Sequence, residues 1–199
     1  MVMPRDAYLA LVGLLALERG AELVVSSRHA RRLLARGAVE AGEGHYWPMV
    51  LFHVAFLLSC VAEALAFPAP PPPIAALALA GALLAQGLRW WAIATLGERW
   101  STRVIVFPGA PPVTGGPYRF LRHPNYLAVV MELVLVPLAF GSWRSAIAFS
   151  AGNAALLAVR IRAEERALGE SWASAFRGRP RFVPRASSPR NREDLRDES

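Results

Sequence analysis

Apolar residues along the chain fall in long runs, not at alternating positions, and the runs set the elements. Three of them reach the roughly 20 residues a helix needs to cross a bilayer: about 7–26, 47–67 and 74–96. The proline run "PAPPPP", 68–73, cannot continue a helix and parts the second from the third. Two shorter runs follow, about 125–140 and 143–160, joined at Gly141-Ser142. At 1.5 Å per residue each is about 25 Å long. That is short for a full crossing and predicts a tight helical hairpin packed on the other spans. Residues 161–177 read as a helix leaving the membrane, and the polar stretch from Arg185 as a disordered tail. The expectation is an all-α integral membrane protein of about five transmembrane helices. One embedded domain covers 1–184 and the tail covers 185–199. The first run carries Glu18, Arg19 and Glu22 and no small-residue cleavage pattern, so it is expected to stay as a span.

Composition agrees and adds an orientation. The chain is 54% hydrophobic over 199 residues, with 22 basic residues, all arginine, against 15 acidic ones. In so apolar a chain the basic excess points to cytoplasmic membrane loops rather than to nucleic acid. Arg28, Arg31, Arg32 and Arg36 lie between the first two spans, and Arg99, Arg103, Arg119 and Arg122 between the third and fourth runs. The opposite loops hold only Arg5 and Arg144. The positive-inside rule therefore places the N-terminus outside and the C-terminus in the cytoplasm. The lone Cys60 excludes an internal disulfide framework, and the four histidines have no metal-ligand spacing.

Charged groups at membrane depth cost about 2.5–3.5 kcal/mol each on insertion scales, so each needs a reason. Glu18, Arg19 and Glu22 fall within one turn, and Arg19 and Glu22 can pair at i,i+3. His53, Cys60 and Glu63 share a broad face, and Gln86 and Arg89 are i,i+3 neighbours. Most of these read as an internal polar network, with His53 a satisfied core histidine. Glu132 reads differently: it follows Asn125 by seven residues on the same helix side and has no basic neighbour within a turn.

"GPYRFLRHPNYLA", 116–128, is the densest polar chemistry in the chain. Gly115 and Gly116 permit positive φ and close backbone approach. Pro124 suits a first helical position, so a helix is expected to begin near His123. Its free N–H groups, with Arg122 and His123, would suit a small anion such as a carboxylate. Downstream, Ile161, Leu168, Trp172 and Phe176 form one apolar stripe, with Glu165 inside it and Glu164 at its border. Arg160 and Glu164 are spaced to pair at i,i+4. A carboxylate on an apolar face needs a partner or a ligand.

Together, "GPYRFLRHPNYLA", a carboxylate in the following helix, and "RAEERALGESWASAF" with "RFVP" close behind resemble the isoprenylcysteine carboxyl methyltransferase family, over roughly residues 75–184. The resemblance implies S-adenosylmethionine (SAM) in a cytoplasm-facing pocket closed by the C-terminal helix, and a lipophilic acceptor arriving from the bilayer. It implies that Tyr118, Arg122, His123, Pro124, Asn125 and Tyr126 line the cofactor end, with Glu164 and Glu165 across from them. The family often has tyrosines after the Glu-Glu pair; Trp172 and Phe176 stand there here. Residues 18–64 resemble a narrower bacterial branch associated with type III polyketide synthases. That branch is implied to O-methylate alkylpyrone or alkylresorcinol lipids in the bacterial inner membrane, beside a synthase that supplies them. A hydroxyl acceptor is helped by a base, for which Glu132, Glu165 and His123 are the candidates. Carboxyl methylation of an isoprenylcysteine-like lipid and phospholipid N-methylation are alternatives. So are an NADPH-dependent lipid reductase, with Arg119 and Arg122 on the 2′-phosphate, and a non-enzymatic scaffold.

Overall fold

The computed structural model describes residues 4–41, 44, 46–67 and 72–182. The expected tail, 185–199, and most of the proline link lie outside them. Five α-helices dominate: α1 (Arg5–Ala35), α2 (Tyr46–Ala66), α3 (Pro72–Leu96), α4 (Pro124–Leu138) and α5 (Trp143–Ala175). Three of them, α2, α3 and α5, are long and apolar enough to cross a membrane. The sequence expects about five crossings, and among the described residues these three meet the requirement by length and hydropathy. Helix α1 has the length but carries Glu18, Arg19 and Glu22, and α4 is a shorter apolar helix of 15 residues. Exposed leucines such as Leu51, Leu58, Leu77 and Leu84 on α2 and α3 form the outer surface that suits lipid.

The all-α expectation also needs amendment. A short antiparallel ribbon joins β1 (Val39–Ala41) to β2 (Val104–Val106), Val39 opposite Val106. It ties the chain after α1 to the loop after α3, where β-branched "VIV" favours extended backbone. At the same end His29 Nδ1 lies 2.9 Å from Trp100 O, and Ser26 Oγ accepts from Thr102 N at 2.8 Å.

Helix α3 packs most extensively on α4. Its buried alanines, Ala75, Ala78, Ala82, Ala85 and Ala92, recur at three-, four- and seven-residue steps. Small side chains in that stripe let the two backbones approach, which is how helices associate where no hydrophobic drive exists. Helices α4 and α5 form the expected hairpin through Gly141-Ser142. However, α5 does not stop at 160: it runs on into the predicted exit helix and breaks only at Gly169, where φ is +72°. The α5 N-terminus is held from α2. Buried Glu63 accepts from Arg144 N at 3.0 Å, Ser145 N at 2.7 Å and Ser145 Oγ at 2.6 Å. A carboxylate there satisfies first-turn donors and meets the positive end of the helix dipole.

Candidate active site

The loop before α4 is shaped by close approach. Gly116 has φ +53°, and a Cβ there would lie 2.3 Å from Thr95 Oγ1. Gly115 is extended, so only one of the two glycines uses its freedom. A 3-10 turn over Gly116–Arg119 buries Pro117 and Tyr118. His123 then caps α4 and Pro124 is its first residue, as the sequence predicts. Among the described residues no side chain caps this N-terminus. Its first-turn N–H groups therefore have no side-chain acceptor from that quarter.

A cavity of about 280 Å³ opens beside this helix start. Tyr118, Arg122, His123, Asn125 and Tyr126 line one wall; Arg160, Glu164 and Trp172 line the other, and the loop from Trp100 to Val113 closes the side. Of the residues predicted for the cofactor, the cavity thus gathers Tyr118, Arg122, His123, Asn125, Tyr126 and Glu164. Pro124 is fully buried behind the wall. Glu165 is not on the wall: its Oε1 lies 3.0 Å from His123 Nε2 and accepts from Arg181 Nε at 3.0 Å.

The aromatic rings form one stack. His123 lies 5.3 Å from Tyr126, nearly parallel, and 5.6 Å from Trp172; Trp172 in turn lies 4.8 Å from Phe176. Trp172 and Phe176 pack with Tyr118, Ala92 and Leu168, while Ile161 joins Tyr126 and Leu157. The single stripe read from the sequence is therefore divided between two clusters, the division falling between Ile161 and Leu168. Burial and the Glu164 charge push the Tyr118 phenol above its ordinary range, so it remains a neutral hydroxyl.

Arg160 was visible in the sequence only as a helical partner of Glu164, and the structure makes it a wall residue. Its Nε donates to Tyr126 Oη at 2.7 Å and its Nη2 to Thr102 O at 2.6 Å. Tyr126 Oη donates to Glu164 Oε2, so the expected i,i+4 pair is bridged by a phenol. The signal was there: an arginine one residue before an apolar stripe has to find buried acceptors. One polar atom of the wall stays open. Asn125 Oδ1 is buried and accepts no hydrogen bond among the described residues.

Glu132 lies elsewhere. It lines a separate cavity of about 20 Å³ with Arg19 and His53, 3.8 Å from Arg19 Nη1 and 4.0 Å from Arg89 Nη1. Arg89 makes a two-pronged pair with Glu22, at 2.9 and 2.7 Å, and Arg19 meets Glu22 at 3.0 Å. Gln86 donates to Glu18. These are the internal network the sequence predicts, and they draw Glu132 into it. His53 Nδ1 lies 2.8 Å from Met49 O, which suits a core histidine.

Long apolar helices, a stripe of small residues between them, and one polar cavity at a helix start define a membrane protein with an enzyme-like site at one end. Comparison with known proteins sharpens that class. The profile of the isoprenylcysteine carboxyl methyltransferase (ICMT) family matches residues 76–170. An uncharacterized protein of Bacillus subtilis (strain 168), YpbQ, is 39% identical over 160 residues, 80% of this chain and 95% of that protein. An uncharacterized protein of Haemophilus influenzae (strain ATCC 51907 / DSM 11121 / KW20 / Rd) is 28% identical over 147 residues, 73% and 86% of the two chains. The chain belongs to the ICMT family of membrane methyltransferases.

Proposed function

We propose that the protein is a SAM-dependent O-methyltransferase acting on a lipophilic acceptor in the membrane, the hydroxyl of an alkylpyrone- or alkylresorcinol-type lipid. The observation that carries the cofactor is Asn125 Oδ1: a buried acceptor without a donor, in a cavity wall beside stacked aromatic rings. The donor set fits SAM. Asn125 suits an amine or ribose hydroxyl, and Arg122 with the uncapped α4 start suits the amino-acid carboxylate. The Tyr126–His123–Trp172 faces and Glu164 suit the sulfonium charge. When bound, SAM supplies an electrophilic methyl group to an acceptor oxygen.

The chain's own part is positioning and proton handling. Arg99, Arg103, Arg122 and Arg160 stand on the cavity wall against one carboxylate, Glu164. Arginines there favour an ionised acceptor oxygen, which argues for O- over N-methylation. His123 is the wall group able to take the hydroxyl proton, with Glu165 behind it as its hydrogen-bond partner. Glu132, also a candidate base in the sequence, stands in the membrane network and is assigned to holding the helices. Arg119, the residue offered for an NADPH phosphate, lies over the Phe120 ring at 4.4 Å and not on the cavity wall. The proposed orientation keeps the N-terminus outside and the cavity on the cytoplasmic face of the inner membrane, within reach of a lipid-producing synthase.

The test is methyl transfer from labelled SAM by purified protein into extracted membrane lipids. Label in a neutral lipid that survives alkaline hydrolysis supports an ether product. Alkali-labile label means a carboxyl ester, label in phospholipid means N-methylation, and either refutes the hydroxyl acceptor.

A further inference from the structure

The stretch after α5 lies C-terminal to the family match, yet it is tied to the site loop at several points. Arg122 N donates to Pro180 O at 3.0 Å and His123 N to Arg181 O at 3.4 Å. Arg122 Nε donates to Arg179 O at 2.7 Å, and Arg179 Nη1 returns a bond to Tyr118 O at 2.9 Å. Arg181 reaches back to α5 and donates to both oxygens of Glu165. Phe182 packs against the cluster of Tyr126, Leu157 and Ile161. Each tie ends on a wall residue or on a residue that touches one.

We infer that Arg179–Phe182 is a strap belonging to the cofactor site, with Arg181 a positioning residue that sets the His123 ring through Glu165. Stacking on Tyr126 and Trp172 fixes the plane of that ring. It does not fix rotation within the plane. The hydrogen bond from Nε2 to Glu165 does, and its strength depends on where the carboxylate is held. Among the described residues Glu165 has two side-chain partners, His123 and Arg181. Without the Arg181 fork, one bond from an imidazole must hold a charged group on an otherwise apolar stripe, and water competes for it. The strap acts on Arg122 in a parallel way. Its Nε is spent on Arg179 O, which leaves both terminal nitrogens without a hydrogen-bond acceptor among the described residues, with the guanidinium over the Trp172 ring. Arginine suits the role of Arg181 because its planar fork meets both carboxylate oxygens, which a lysine cannot do. The hold on His123 stands by itself; what the ring then meets rests on the methyltransferase reading.

The experiment uses the detergent-purified full chain and Arg181→Ala, Arg181→Lys and, as a control on the same segment, Arg177→Ala. Two readouts are taken: the imidazole nitrogen resonances of His123, assigned through His123→Gln, without ligand; and SAM affinity by calorimetry. Arg181→Ala is expected to move the His123 resonances and to weaken SAM binding about three- to tenfold, the scale of one partly screened charge-assisted bond. Arg181→Lys recovers part of both, and Arg177→Ala matches the unmodified protein. Unchanged His123 resonances in Arg181→Ala overturn the inference. Shifted resonances in a protein that binds no SAM uphold the strap and instead refute the cofactor reading.

Discussion

Tyr126 concentrates the chemistry of the cavity wall in one hydroxyl. It accepts from Arg160 and donates to Glu164, so a buried guanidinium and a carboxylate are joined without touching. Removing that oxygen leaves both charges short of a partner. Tyr126→Phe is expected to cost about 1.5–3 kcal/mol of stability, the range for hydrogen bonds to charged groups, read as a lowered Tm. Asn125 makes the opposite case, since its Oδ1 has no partner to lose among the described residues. Asn125→Ala should therefore keep the Tm and weaken SAM binding about fivefold, the scale of one neutral hydrogen bond. An equal loss of stability in Asn125→Ala would show that the oxygen has a structural partner instead.

At the scale of elements, the site depends on where two helices start. Helix α5 begins against Glu63 of α2, and α4 begins where Gly116 lets the loop pass close to α3. Glu63→Ala leaves the amides of Arg144 and Ser145 without their acceptor. The expected loss is about 2–3 kcal/mol of stability with SAM affinity unchanged, because α5 meets the cavity at its other end. Gly116→Ala has two faults, a positive φ and the Thr95 hydroxyl in the way. Pairing it with Thr95→Ala is expected to restore part of the Tm but not all, because the φ penalty remains. These elements were unevenly legible. The α4 start could be read from Pro124, whose ring suits a first turn. The continuity of α5 could not: 143–160 and 161–177 read as two helical stretches, and the structure joins them into one helix unbroken as far as Gly169. The Glu63 cap joins residues 82 positions apart and left no local mark beyond a carboxylate in an apolar run.

At the scale of the molecule, an ionic network at membrane depth joins α1 to α3 and α4. Glu22 takes two bonds from Arg89 and an ion pair from Arg19, and Glu132 faces both arginines. It fastens the N-terminal part of the chain to the family-matched region. Breaking one partner of a buried pair strands the other, so Arg89→Met is expected to destabilise by about 3–5 kcal/mol. Adding Glu22→Gln should return part of that loss, and a double variant no better than the single one would show that the pair is not coupled. The sequence placed these residues at membrane depth but could not say which helices would face each other, which is why Glu132 read as free of partners. The cavity was legible in part: one 13-residue segment carries Tyr118, Arg122, His123, Asn125 and Tyr126, while the loop from Trp100 to Val113 that closes the side left no mark in the sequence.

The central claim is that this cavity holds SAM, and calorimetric titration of SAM into the detergent-purified protein, with NADPH as the control ligand, tests it most directly. The account predicts micromolar SAM binding that weakens in Asn125→Ala and no comparable binding of NADPH. A folded sample that binds NADPH alone, or neither ligand, would contradict it.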